Sequence, residues 1–172
     1  MGYKKVALIS YQNDFSKIHH DTFVSNFKGS VVKDIVITNN STDVAPDILK
    51  LKDSDIDAIF STDIAFFFAN GLDKLRRIDV TVPVFSQYAV ELPAVRSLVD
   101  GVMYSFPDGV DENEGAVFGM AKDSAVILSH VIEKCGEDTM CAQSVLKDQF
   151  TDGVIQRNII LKKIQNGIPT RI

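Results

Sequence analysis

The sequence predicts an α/β fold in which an open parallel sheet carries helices on both faces. Short apolar or β-branched runs recur along the chain, and segments with apolar residues at helical spacing separate them. Apolar runs of this length are typical of strands that are buried on both faces of a parallel sheet. Their regular alternation with helices predicts βαβ units joined by right-handed crossovers. The five strands predicted in this repeating part are 5–10, 31–37, 57–61, 83–86 and 101–106.

The segments between these strands have the pattern of helices. In the first segment, Phe15, Ile18 and Phe23 recur at helical spacing, and Gly29 follows the predicted helix end. The apolar positions of the three later helices are Val44, Ile48 and Leu51, then Phe67, Phe68, Leu72 and Leu75, and finally Leu92, Val95, Leu98 and Val99. The βα rhythm therefore holds from the first strand to the fifth.

The pattern changes after Pro107 and predicts a second region of the chain. An acidic connector at 108–115 precedes a long amphipathic helix from Ala116 to Ile132, and a further helix is predicted around 142–150. The run 159–164 predicts a last strand, and Asn166-Gly167 is a turn signal. We therefore expect a βα-repeat lobe at 1–107. Residues 108–172 are expected to form helices and a C-terminal strand that pack on the same lobe or on a partner.

Charge and hydropathy argue against nucleic-acid binding and against a transmembrane span. The formal net charge is -5 and the sequence pI is about 5.1, whereas nucleic-acid-binding domains usually present a basic surface. No run approaches the roughly 20 apolar residues that span a bilayer. No signal peptide is seen either, because Met1-Gly2-Tyr3-Lys4-Lys5 leads directly into the first strand. The sequence therefore predicts neither nucleic-acid binding nor a transmembrane span.

The two cysteines, Cys135 and Cys141, lie in one predicted loop between helices. A metal site needs more ligands than His130 could add, and a redox pair is normally separated by two residues. A disulfide is favoured over two free thiols, and both interpretations stay open from the sequence. A disulfide would imply an oxidising compartment.

Motifs for catalysis are missing from the sequence. The residues after the first strand, SYQNDF, contain no glycine-rich phosphate loop, and no GxSxG nucleophile motif occurs. His19 and His20 would point about 100° apart on a helix, which suits chelation of one metal poorly. We therefore expect a protein that is not an enzyme and carries no cofactor or metal.

Four segments together resemble one family of receptors. They are KKVALISYQNDF at 4–15, TDVAPDILKLKDSDIDAIF at 42–60, the strand 101–107 with the helix from Ala116, and 152–154 through IILKKIQNG. Their order is similar to the second lobe and C-terminal part of solute-binding proteins of the leucine/isoleucine/valine-binding type, the type I periplasmic binding proteins. The resemblance implies a periplasmic or extracellular parent with a first lobe before this segment. The parent would bind an amino acid or a similar small solute and deliver it to the membrane permease of an ABC-type transporter.

The candidate binding residues follow the strands, where ligands of open parallel sheets bind. The resemblance implies that loops 10–16, 62–65 and 87–90 face the cleft between the lobes. Asp63 is the first candidate for a ligand's ammonium group and Glu91 the second. The candidate walls are Tyr11, Phe15 and Tyr88, and the candidate hydrogen-bonding side chains are Ser10, Thr62 and Gln87.

Several of these residues have structural alternatives. Asp14 is a more natural helix N-cap than a ligand contact, and Asp63 could serve equally as a cap. Phe15 fits the apolar stripe of its helix and could belong to the core. Tyr88 is harder to explain as core because it lies in a loop.

A different class of function also remains open, namely a free-standing α/β signalling or regulatory domain that acts through protein contacts. A phospho-acceptor receiver would carry an acidic pair after the first strand, where Ile9, Ser10 and Tyr11 stand instead, although Asp63 matches one element of that pattern. The resemblance also implies that the segment after Pro107 packs partly on the first lobe. Without that lobe, the apolar helix face formed by Val117, Leu128 and Val131 would lack cover, and we expect a homodimer, with C-terminal elements exchanged as one form of it.

Overall fold

The computed structural model describes residues 2–38, 43–62, 67, 70–110, 116–147, 150–151, 154–155 and 158–172. Most of the expected acidic connector, the turn at Asp152-Gly153 and the candidate Asp63 lie outside this part. The strands are β1 Lys5–Tyr11, β2 Ser30–Ile37, β3 Ala58–Ser61, β4 Val84–Gln87, β5 Met103–Pro107, β6 Phe150–Thr151, β7 Val154–Ile155, β8 Ile159–Gln165 and β9 Ile168–Arg171. The helices are α1 Asp14–Asn26, α2 Ala45–Leu49, α3 Leu72–Arg77, α4 Pro93–Arg96, α5 Ala116–Cys135 and α6 Thr139–Lys147, with a 3-10 helix at Tyr88–Glu91.

Seven strands form one sheet in the order β2-β1-β3-β4-β5-β8-β9. The pairs from β2 to β5 are all parallel, which confirms the predicted α/β fold class. The single last strand expected from the sequence is a hairpin, however, because β8 and β9 pair in antiparallel fashion. Asn166 and Gly167 both have positive φ, 52° and 74°, as a tight two-residue hairpin turn requires. The sheet is therefore mixed at this edge.

The chain divides into two compact units. The first comprises Met1–Ser105 together with Leu161–Ile172, and the second comprises Phe106–Ile160. The boundary near residue 106 lies close to the one expected at 107, but the last twelve residues belong to the first unit. They do so because Gly101 donates a backbone hydrogen bond to Ile164 at 2.8 Å, which adds β8 to the sheet.

The core of the first unit lies around its parallel strands. Val6, Ala7, Leu8 and Ile9 of β1 are each at most 3% exposed, because β1 has a neighbour on both sides and cover on both faces. On one face, Phe23 of α1 stacks on Phe60 of β3 with 4.4 Å between the ring centroids. The buried side chains of the later helices are Ile48, Leu72, Leu75 and Val95.

The second unit contains the helices α5 and α6 and the antiparallel pair of short strands β6 and β7. Cys135 at the end of α5 and Cys141 in α6 form a disulfide with a Cα–Cα distance of 5.5 Å. The interpretation as a disulfide is confirmed, and that of two free thiols is wrong. Of the helices described, none has the length and apolar character that crossing a membrane would need.

Candidate functional site

The structure brings three predicted site residues to neighbouring positions at one edge of the sheet. Ser10, Thr62 and Gln87 lie at the carboxyl ends of β1, β3 and β4. The backbone N–H of Thr62 donates to Ile9 O at 2.9 Å, which places Thr62 beside the end of β1. Phe60 is paired with Phe85, and extension of this register by two residues places Gln87 opposite Thr62. The expected row of strand-end side chains therefore exists.

These three side chains are almost inaccessible to solvent. Ser10, Thr62 and Gln87 are 3%, 0% and 4% exposed. The Thr62 hydroxyl is hydrogen-bonded to the hydroxyl of Ser16, and Ser16 Oγ also accepts from the backbone N–H of Tyr11 at 2.9 Å. Thr62 therefore connects the sheet to the first turn of α1. Reasoning from the sequence missed Ser16, since a serine in a first helical turn is ordinary.

Two polar atoms in this row have no hydrogen-bond partner among the described residues. They are the Ser10 hydroxyl oxygen and the Gln87 side-chain nitrogen, Nε2. The other end of the Gln87 amide is engaged, because Oε1 accepts from the backbone N–H of Ala89 at 3.2 Å and caps the 3-10 helix. A buried polar atom without a partner costs about 1–3 kcal/mol, so each of these two sites calls for an explanation.

The start of α1 differs by one residue from the expectation. Asn13 is the N-cap, and its Oδ1 accepts from the backbone N–H of Ser16 at 2.7 Å. The prediction of Asp14 as the cap is wrong, because Asp14 is already the first helical residue. At that position its carboxylate interacts favourably with the positive end of the helix dipole. Phe15 is 39% exposed and packs against the His19 ring at 4.4 Å between centroids. The core alternative for Phe15 is therefore wrong, and its role as a wall stays a prediction.

A depression of about 360 Å³ opens beside the loop between β1 and α1, on the side of β2. Its lining residues are Ser10, Tyr11, Gln12, Asn13, Asp14, Lys17, His20, Asp21 and Val36. Tyr11 is partly exposed there, as the prediction of an aromatic wall requires. Reasoning from the sequence did not assign Gln12, Lys17, His20 or Asp21 to a site, because none of them belongs to a recognisable motif.

His20 lies between two carboxylates at the rim of this depression. Its Nδ1 is 2.9 Å from Asp21 Oδ1, and its Nε2 is 3.0 Å from Asp34 Oδ2 on β2. Burial lowers the pKa of the imidazole, but the hydrogen bonds to Asp34 and Asp21 outweigh that effect and raise the pKa above its ordinary value. Because ionised carboxylates only accept hydrogen bonds, this arrangement suits the imidazolium form, in which both ring nitrogens donate.

The remaining candidates lie around the 3-10 helix. Tyr88 is its first residue and is half-buried. Glu91, the second candidate for a ligand's ammonium group, already binds an ammonium group of the protein itself. Its Oε1 accepts from Lys162 Nζ at 3.0 Å and from the Tyr104 hydroxyl. The prediction that Glu91 binds a ligand's ammonium is therefore wrong, and the distant Lys162 could not have been identified from spacing.

Comparisons with known proteins identify the fold. No family model matches the sequence, and the search of curated proteins gives no match. A leucine binding protein from Thermotoga maritima superposes with a TM-score of 0.82 at 16% identity, over 99% of this chain and 60% of that chain. A branched-chain amino acid transporter substrate binding protein from Streptococcus pneumoniae, in complex with isoleucine, gives 0.72 at 17% identity, over 97% of this chain and 58% of that one. An ABC transporter solute binding protein from Rhodopseudomonas palustris, in complex with benzoate, gives 0.72 at 15% identity, over 99% and 58% of the two chains.

These proteins are described as binding components, and each of the three is considerably longer than the present chain. The chain spans about three fifths of their length. The resemblance noted in the sequence is confirmed at the level of the fold: the chain has the fold of a part of a type I periplasmic binding protein.

Proposed function

We propose that the chain forms one wall of a cleft that binds a small solute, an amino acid or a related compound, in the receptor of an ABC-type transporter. One observation carries the proposal. Ser10 Oγ and Gln87 Nε2 are buried without a hydrogen-bond partner among the described residues, and they flank Thr62 at the carboxyl edge of the sheet. Both atoms are sealed from solvent in this conformation, so a polar ligand group would complete the two sites only after the loops beside them shift. Ligands of open α/β sheets bind beyond this edge.

Exposed groups for the remainder of the ligand lie next to this row. Tyr11, Phe15 and Tyr88 are each partly exposed and would supply apolar walls. The first turn of α1 begins at the same edge, where the backbone N–H groups that Asn13 does not cap would suit a carboxylate. Asp63 follows directly after Thr62 and remains the proposed partner for an ammonium group.

The proposed ligand class follows from this chemistry and from the similar structures. Leucine, isoleucine and benzoate are the compounds named for those proteins, and each combines a carboxylate with an apolar body. The walls and donors proposed here would suit a compound of that kind. In the full-length receptor, a first lobe would supply the opposite wall, and a hinge would close the two lobes on the solute.

The proposed partner is the membrane permease of the transporter, which would accept the solute from the complete receptor. The proposed location is periplasmic or extracellular. The Cys135–Cys141 disulfide supports this location, since disulfides persist in oxidising compartments.

Calorimetry tests the proposal with a panel of amino acids and benzoate. We expect weak or undetectable binding by the 172-residue chain, because it lacks the contacts of the opposite lobe. We expect micromolar affinity for at least one compound when the full-length receptor is titrated. Micromolar binding by the 172-residue chain would refute the picture of a single wall. A full-length receptor that binds none of the panel would refute the proposed ligand class.

A further inference from the structure

A buried ion pair lies beneath the 3-10 helix that carries Tyr88. The side chains of Lys162 and Glu91 are 0% and 7% exposed, and Lys162 Nζ lies 3.0 Å from Glu91 Oε1. The hydroxyl of Tyr104, which is itself 0% exposed, donates to the same carboxylate oxygen. A carboxylate is therefore held from two sides inside the first unit.

These three residues come from three adjacent parts of the sheet. Glu91 ends the 3-10 helix that follows β4, Tyr104 lies on β5, and Lys162 lies on β8, 71 positions after Glu91 in the sequence. The sheet order β4-β5-β8 places Tyr104 between the other two elements. The cluster therefore ties a loop at the proposed binding edge to a strand from the end of the chain.

A gain in folding stability alone does not explain why this ion pair is buried. Removing two charges from water costs about as much as their attraction returns, and replacement of both members by uncharged groups is often neutral. What a buried, charge-assisted contact provides is a defined direction and distance. The 3-10 helix needs such a contact to hold its position, because it has only four residues and the hydrogen-bond geometry of such helices is poor. Its first turn is held at the other end by the Gln87 side chain.

We infer that Lys162 is a positioning residue for the binding edge: through Glu91 it fixes the 3-10 helix, and with it Tyr88 and Gln87, in one conformation. This inference rests on the proposed function for its purpose, but the positioning itself can be measured without any ligand. Loss of the pair should loosen residues 88–91 even where the overall stability of the fold is retained.

The test compares wild-type protein with Lys162→Met and with the double variant Glu91→Gln/Lys162→Met. The single variant leaves a buried carboxylate without its cation and should lower the equilibrium constant for folding by at least about a hundredfold. The double variant removes both charges and should recover stability to within about tenfold of wild type. Hydrogen exchange at the backbone amides of residues 88–91, normalised to the amides of β1, should be at least about tenfold faster in the double variant. Unchanged normalised exchange in the double variant would overturn the inference.

Two further measurements keep the test decisive. Glu91→Gln alone, which keeps the shape of the side chain and removes its charge, is an alternative if the double variant does not fold, and the same rise in normalised exchange is expected. In the full-length receptor, the double variant should bind leucine about tenfold more weakly than wild type. Failure of the wild-type receptor to bind any solute would refute the proposed function, whereas the exchange result would still decide whether Lys162 positions the helix.

Discussion

Residues at the carboxyl edge of the sheet differ in whether their side-chain polar atoms have hydrogen-bond partners within the protein. The Thr62 hydroxyl is bonded to Ser16, whereas the hydroxyl of Ser10 has no partner within the described part of the chain. Both side chains are buried, so exposure alone does not separate them. The difference predicts that one hydroxyl serves the fold and the other serves the ligand.

Ser10→Ala and Thr62→Val form a matched pair that tests this difference. Thr62→Val should lower the free energy of unfolding by about 1–3 kcal/mol, because Ser16 loses a buried partner. Ser10→Ala should leave it unchanged or raise it, because an unpaired buried hydroxyl is removed, while ligand affinity of the proposed full-length receptor should fall. Urea denaturation and calorimetry measure the two effects. A large loss of stability in Ser10→Ala would show that the fold itself uses this hydroxyl.

His20 predicts a pH dependence of stability. Its pKa is raised in the folded state, so its contribution is fully present below the unfolded pKa of about 6.5 and is lost as pH rises through the folded pKa. The stability difference between wild type and His20→Asn should therefore be larger at about pH 5.5 than at about pH 8. Urea denaturation at the two pH values measures it, with His19→Asn as the control from the same helix. Equal differences at both pH values would contradict the imidazolium assignment.

For the carboxyl edge of the sheet, the sequence predicted which residues lie there better than it predicted their hydrogen-bond partners. The row of Ser10, Thr62 and Gln87 follows from strand ends, which apolar runs reveal. The contact between Glu91 and Lys162 does not follow, because no local pattern links residues 71 positions apart. The Asn13 cap was missed for a smaller reason: both Asn13 and Asp14 are favoured N-caps, and only the backbone geometry distinguishes them.

At the scale of elements, the parallel strands could be predicted and the C-terminal hairpin could not be predicted fully. Buried strands carry continuous apolar runs, which β1 and β3 show clearly. The strand β9, Ile168–Arg171, contains Pro169 and lies at the edge of the sheet, where proline is tolerated and the apolar signal is weak. Pairing at an edge depends on the turn, which Asn166-Gly167 supplied.

The connection between α5 and α6 predicts an effect of the disulfide on stability. The bond closes a loop between residues six positions apart, and restriction of the unfolded chain by such a short loop is worth about 2 kcal/mol. A Cys135→Ser/Cys141→Ser variant should lose about this much in urea denaturation followed by helical circular dichroism. Reductant should destabilise wild type by a similar amount and leave the double variant unchanged. Insensitivity of wild type to reductant would indicate that the bond contributes nothing.

The association state belongs to the whole molecule, and here the structure modifies the expected surface. Val131 is only 7% exposed, so it does not contribute, and the side chain of Val117 lies outside the described residues. Leu128 and Ile132 are 54% and 65% exposed and lie one helical turn apart. These two side chains are the proposed dimer contact.

Light scattering over a range of concentrations tests for this dimer. Wild type should show a dimer whose fraction rises with concentration, and Leu128→Lys/Ile132→Lys should remain monomeric, because charges would be buried in the contact. Val126→Lys is the control, since Val126 is 62% exposed but lies about 200° around the helix from Leu128. A wild-type monomer at all concentrations would refute the proposal.

The return of Leu161–Ile172 to the first unit determines when that unit can finish folding during synthesis. Translation adds about 5–20 residues per second, so the strands up to β5 emerge from the ribosome seconds before β8 exists. Throughout that interval β5 presents an unpaired edge, which is a template for unwanted pairing with another nascent chain. A ribosome that stalled after β5 had emerged and before β8 was made would therefore leave a sheet with an open side, and we expect such arrested chains to depend on chaperones more than completed ones.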